Sequence, residues 1–279
     1  MKLVSYYDPE GALHVGVRQG DTVIRTGMAA DELGRRGLEA LPELSRIADE
    51  GRAPVDLDAL RLGPPTPRPG KIVCVGLNYR RHAVETNNPI PSTPVLFSKF
   101  GNTITGPDAD VAVPAEVEQL DYEAELVVVI GRRARRVSEA HALDHVLGYM
   151  SGNDLSARAL QNRTKQWLLG KTLDDFLPIG PQLVTADDVP DPQALSVRSW
   201  LNGELRQDSN TADMIFSVAE IIAYASTYFP LDSGDIICTG TPEGVIQGMR
   251  EQRWMRPGDE VVVEVGDLGR LTTRLVAES

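Results

Sequence analysis

The stretch that most restricts the fold of this chain is residues 119–131, QLDYEAELVVVIG. Residues 126–130, LVVVI, are five consecutive apolar side chains, mostly β-branched, closed by Gly131. A run so short and so β-branched reads as a strand buried on both faces, not as a helical turn. Asp121, Glu123 and Glu125 lead into it at every second position, and on a strand such residues point to one face. Carboxylates held that close repel one another and resist desolvation. A bound cation removes the conflict, and oxygen-only ligands suit Mg²⁺, Mn²⁺ or Ca²⁺. The alternative is an edge strand with a solvated acidic face.

A chain of 279 residues can bury a large core, as one domain or two. Its net charge of −12 argues against nucleic acid or an anionic membrane as partner, since both need a basic surface. The arginines of residues 132–136, RRARR, have no interleaved aromatics and read as a solvated turn. Cys74 and Cys238 each lie in an apolar strand-like run (KIVCVG, DIICTG) and read as buried reduced thiols. MKLVSYYDPEG lacks the apolar stretch of a signal peptide, and no run reaches membrane-spanning length, so the expected compartment is the cytoplasm.

Taken in order, residues 2–24 alternate apolar and polar side chains around Asp8-Pro9-Glu10-Gly11 and Gln19-Gly20, a small antiparallel meander. Leucines at helical spacing in residues 29–50 predict two short helices. Residues 62–70, LGPPTPRPG, read as an extended linker, so a small N-terminal domain (1–65) is expected before a larger one (66–279). Residues 71–75 are a strand, and RRHAVE sets His82 and Glu85 at i, i+3 on a helical face. A carboxylate beside an imidazole suits a general base, although spacing alone favours a surface ion pair. Residues 87–93, with their prolines, read as a loop or lid. Residues 138–147 predict a helix capped by Ser138; its His141 and His145 lack the glutamate of the zinc-protease pattern and read as a structural face. Asp154 is either a helix N-cap or a further acid for the metal. Arg158 and Gln161 follow at i, i+3, and Lys171 belongs to neither an amphipathic helix nor a charge run. SVRSWLNGELRQ is a hairpin about Asn202-Gly203, and residues 214–228 are an amphipathic helix. Residues 235–239 are a buried strand running into Gly240-Thr241-Pro242-Glu243-Gly244, a turn able to offer N–H groups and the Thr241 hydroxyl to a small anion.

VGLNYRRHAVE, DYEAELVVVIG, NDLSARALQ, GKTLDDFLPIGP and TGTPEG occur in that order within residues 71–275. The series closely resembles the fumarylacetoacetate hydrolase family. The resemblance implies an α+β, mainly β chain: a mixed β-sandwich roll with a small N-terminal α+β domain, usually a homodimer, binding Mg²⁺ (or Mn²⁺, with Ca²⁺ possible). It implies Glu123, Glu125 and Asp154 as metal ligands and Lys171 as the cation that steadies an enolate. Arg158, Gln161 and Thr241 would contact the substrate, a small 2-oxo acid. His82 and Glu85 would be a dyad that activates water. Asp121 receives no role.

With these parts the implied reaction is metal-dependent hydrolysis of a C–C bond in acylpyruvates or 1,3-dicarbonyl 2-oxo acids, fumarylpyruvate- or fumarylacetoacetate-like. The same enolate site also suits an isomerase of the 2-hydroxymuconate type in aromatic-compound catabolism, an oxaloacetate-type decarboxylase or a sugar-acid dehydratase. Two departures bear on the substrate. Glu85-Thr86-Asn87-Asn88 lacks the glycine that many relatives carry after the glutamate, and GVIQGMREQRW replaces a shorter Gly-Val-Gly form after the Thr-Pro loop.

Overall fold

In the computed structural model, which describes residues 1–278, Ala124–Ile130 lies inside a twelve-stranded sheet. All its residues are buried. Leu126, Val128 and Ile130 face one core, Val127 and Val129 the other, as the two-residue period of a strand requires. Its antiparallel neighbours are Val146–Asn153 and Ile236–Cys238. Ile236–Cys238 runs parallel to Ile72–Gly76, which brings Cys238 beside Cys74. Both thiols are free and buried. Val95–Ser98 closes that edge.

On its other side the sheet continues through Leu177–Thr185 to the meander Lys2–Tyr7, Leu13–Gln19 and Thr22–Ala29. Helices Ala30–Arg36 and Leu41–Asp49 pack Leu33 and Leu44 into the second core. Residues 62–70 are extended, as their prolines dictate, but Leu62–Gly63 pairs with Lys2–Tyr7, and Pro64 and Pro65 are buried.

A five-stranded sheet, Glu204–Asn210, Ser196–Leu201, Glu260–Val265, Arg270–Ala277 and Ala109–Val113, covers the first core. Val261, Val263 and Val265 alternate inward from it. Asn202 (φ 52°) and Gly203 (φ 81°) turn its hairpin, the left-handed pair that Asn-Gly favours. Helix Val218–Tyr228 starts at a capping box between Ser217 and Glu220, later than the sequence pattern predicted. The fold is the mainly β sandwich with helices that the sequence implied. Residues 138–147 differ: they form only Glu139–Ala142 and a 3₁₀ turn, Leu143–His145, and Ser138 makes no side-chain cap. The arginine run is tied to its own chain. Arg133 pairs with Asp232, and Arg135 donates to the carbonyls of Ser226 and Thr227.

Candidate active site

The acidic stretch is not one continuous strand. Leu120–Asp121 pairs with Ser156–Ala157 in a separate ribbon, Ala124–Ile130 joins the main sheet, and Tyr122 and Glu123 span the break. Across it the Asp154 N–H donates to the Glu123 carbonyl at 2.9 Å, and the Glu123 N–H donates to the Asn153 side chain at 3.1 Å. The break brings Glu123 and Glu125 together with Asp154: one carboxylate oxygen from each lies within 4.8 Å of the others, and all three residues are buried.

Asp121 is diverted away from them. Its two oxygens accept the N–H groups of Ile246 (2.8 Å) and Gln247 (3.1 Å) and an Arg158 Nε–H (2.9 Å). It therefore straps the loop after Thr241-Pro242 to the acidic stretch. Tyr122 adds a second tie, its hydroxyl donating to the Gly244 carbonyl at 2.9 Å.

Three buried cations face the acids. Lys171 Nζ lies 2.5 Å from Glu123 and 2.9 Å from Asp154; Lys99 Nζ lies 2.5 Å from the other Asp154 oxygen; Arg158 lies 2.7 Å from Glu123. Lys99 went unread in the sequence. Its one signal is that it stands in phase with Phe97, which lines the cavity from the edge strand. Against these three cations stand four buried carboxylates, Asp121, Glu123, Glu125 and Asp154, one negative charge in excess. Burial raises the proton affinity of Glu125 well above that of a free glutamate, and Asp154 and Glu123 raise it further. Burial also acts to raise that of Glu123, but Lys171 and Arg158 outweigh it and hold that carboxyl at about 2. An all-oxygen donor set with an excess negative charge fits a hard divalent cation. Such an ion would leave the cluster one positive charge in excess, suited to an anionic substrate.

The two shifts act oppositely with pH. Glu123, depressed in the fold, contributes stability above its ordinary value of 4.5 that is lost as pH falls towards 2. Glu125, raised, opposes folding of the metal-free chain increasingly as pH rises from the ordinary value of 4.5 to its folded value, above which the effect is constant. A cation on the triad must displace the Glu125 proton. Mg²⁺ binding is therefore expected to release up to about one proton per chain, read from how the calorimetric enthalpy varies with the buffer's ionisation enthalpy. Binding with no proton released at any pH would contradict this.

Seven of the nine residues expected at the site, His82, Glu123, Glu125, Arg158, Gln161, Lys171 and Thr241, line one cavity of about 260 Å³. Asp154 is fully buried, its two oxygens meeting Lys171 and Lys99. Glu85 sits 3.4 Å from His82 Nδ1, and the Gly244 N–H donates to both its oxygens at 3.0 and 3.2 Å. Gly248 packs on the same carboxylate so closely that a Cβ there would lie 2.3 Å from Glu85 Cδ. The dyad, carried by helix Arg80–Glu85, is thus packed through Glu85 against the loop that Asp121 straps. Arg158 is spent on Asp121 and Glu123, and its Nη1–H holds Gln161 Oε1 at 2.9 Å. It orients the Gln161 amide, while its buried Nη2, close to both acids, makes no hydrogen bond of its own. The Thr241 hydroxyl donates to the Ala124 carbonyl (2.9 Å) and accepts from Gln207 (2.8 Å), another buried residue passed over in the sequence. Gly240 (φ 96°) must be glycine, because a Cβ would sit 2.8 Å from the Val75 carbonyl; its N–H donates to Glu125 at 2.9 Å.

Residues 71–276 match the fumarylacetoacetate (FAA) hydrolase C-terminal family, and the chain belongs to that family. It is 40% identical over 242 residues to the oxaloacetate tautomerase fahd2, mitochondrial, of Xenopus laevis, covering 86% of this chain and 76% of that protein. A putative HpcE protein from Mycobacterium smegmatis superposes over the full length of both chains with a TM-score of 0.89 and 36% identity. The maleylpyruvate hydrolase from Sphingobium sp. SYK-6, solved with manganese (II) ion and pyruvate, does so with a TM-score of 0.84 and 30% identity. Among the described residues, no helix is long and apolar enough to cross a membrane.

Proposed function

We propose that this family member moves a proton at C3 of a short 2-oxo acid of the oxaloacetate class, interconverting its enol and keto forms. The observation that carries the proposal is the presence of one imidazole, His82, in the same 260 Å³ cavity as Glu123, Glu125 and Lys171. That volume falls below the roughly 300 Å³ at which drug-sized pockets begin, and so favours a small acid. The likeness to a protein named as an oxaloacetate tautomerase supports the same reading.

A divalent cation held by Glu123, Glu125 and Asp154 would polarise a chelating 2-oxo carboxylate and acidify its C3–H. Lys171, kept protonated by Asp154 and Glu123 against its burial, stabilises negative charge growing on the C2 oxygen. Gln161, aimed by Arg158, donates to the substrate carboxylate. His82 carries the proton between C3 and the C2 oxygen, taking it from C3 and delivering it to the oxygen in one direction and the reverse in the other, with Glu85 holding the imidazole in line. The net change is a 1,3-proton shift with no C–C bond broken.

The second reading is C–C hydrolysis of an acylpyruvate, with His82 deprotonating water instead; the likeness to a hydrolase solved with pyruvate favours it. Decay of enol absorbance with Mg²⁺ or Mn²⁺, measured on oxaloacetate and on acetyl- and fumarylpyruvate, separates them. Faster oxaloacetate ketonisation with no pyruvate formed supports the tautomerase. Pyruvate with a second acid from an acylpyruvate selects the hydrolase, and pyruvate with CO₂ from oxaloacetate selects a decarboxylase. Homodimerisation through the larger domain belongs to the same proposal and is read by sedimentation.

A further inference from the structure

We infer that Gln247 is the specificity-determining residue that reads the substrate end remote from the carboxylate triad; this rests on the small 2-oxo acid reading above. Its backbone is fixed at three points. The Gln247 N–H donates to Asp121 at 3.1 Å, its carbonyl accepts from the Gln252 side chain at 2.8 Å, and it occupies the 3₁₀ turn Ile246–Gly248. Gln247 lines the cavity, half-buried, and its side-chain amide makes no hydrogen bond within the described residues.

The other amides of the cavity are accounted for. Gln161 is held by Arg158, Asn88 donates to Thr86, and Asn162 is exposed to solvent. A half-buried amide on a rigid turn, with donor and acceptor both unspent, is a polar group left for a ligand. Gly244 and Gly248 wrap the turn around Glu85, so Gln247 stands on the dyad side of the cavity and meets the substrate beyond C3.

Arg158 and Lys171 lie on the carboxylate side of the cavity, against Asp121, Glu123 and Asp154. On the opposite, dyad side the far end of the substrate meets a neutral donor. The favoured class is short 2-oxo acids ending in a hydrogen-bond acceptor, a carboxylate or a carbonyl.

Two probes separate the ends: oxalate, which carries only the chelating end, and 2-oxoglutarate, which adds a distal carboxylate. Calorimetric titration of the Mg²⁺-loaded protein is expected to show Gln247→Ala weakening 2-oxoglutarate about tenfold and oxalate less than about twofold. Gln247→Glu, opposing two carboxylates, weakens 2-oxoglutarate further. In turnover, KM for oxaloacetate rises in Gln247→Ala while kcat holds. Equal weakening of both probes, or of neither, in variants with unchanged melting temperature overturns the inference. Absence of oxaloacetate turnover in the unsubstituted protein sinks the tautomerase reading instead, and the titration pair still decides the role of Gln247.

Discussion

Lys171→Met is expected to lower kcat/KM by about a hundred- to a thousandfold, the loss that follows removal of one preorganised donor from a developing oxyanion. The ammonium is buried and bridges Glu123 (2.5 Å) and Asp154 (2.9 Å). Methionine keeps the length and removes the charge, leaving four buried carboxylates against Lys99 and Arg158 alone. Breaking a buried pair from one side costs about 3–5 kcal/mol. In a chain of this size that lowers Tm by roughly 10 °C. Because a cation relieves the same repulsion, Mn²⁺ should raise Tm by more in Lys171→Met than in the unsubstituted protein. An equal or smaller gain would mean that Lys171 does not share its charge-balancing role with the metal.

His82→Ala is expected to lower kcat by about a hundred- to ten-thousandfold, the usual contribution of a positioned general base. Mn²⁺ affinity and oxalate affinity should stay unchanged, because His82 lines the cavity without belonging to the carboxylate cluster. Glu85→Gln should fall between the two proteins. It keeps the Gly244 contact but no longer offers a carboxylate to the imidazole. Unchanged turnover in His82→Ala would assign proton transfer to another group.

What the sequence made legible was what local pattern encodes. Five apolar residues closed by glycine read as a doubly buried strand, and Ala124–Ile130 is one. Asn-Gly between alternating segments read as a hairpin, and the hairpin forms. Glu123 and Glu125 read as a pair on one face, and they share a site with Asp154. Strict alternation also grouped Asp121 with them. The strand breaks at Tyr122 and Glu123 and sends Asp121 to Arg158 and the Ile246–Gln247 N–H groups, a partnership set by contacts 37 to 126 residues away along the chain. Lys99 and Gln207 were invisible for the same reason. A lone lysine at a strand end and a glutamine in a hairpin look like surface residues until Asp154 and Thr241 are brought against them. The pairing of Lys2–Tyr7 with Leu177–Thr185 is likewise long-range, and no local pattern in the first residues announces it.

The central claim is that the carboxylate triad is a divalent-cation site serving enol chemistry, and Glu125→Gln tests it most directly. This substitution replaces a buried carboxyl of raised proton affinity with a neutral amide of the same shape, and the retained carbonyl oxygen can still accept the Gly240 N–H. The metal-free fold should therefore survive it. Mn²⁺ is titrated into EDTA-stripped protein while oxaloacetate enol decay is followed in the same samples. The account predicts one ion bound per chain, activity returning in proportion to occupancy, and loss of both in Glu125→Gln. Full activity in the stripped protein, or unchanged Mn²⁺ binding by Glu125→Gln, would contradict it.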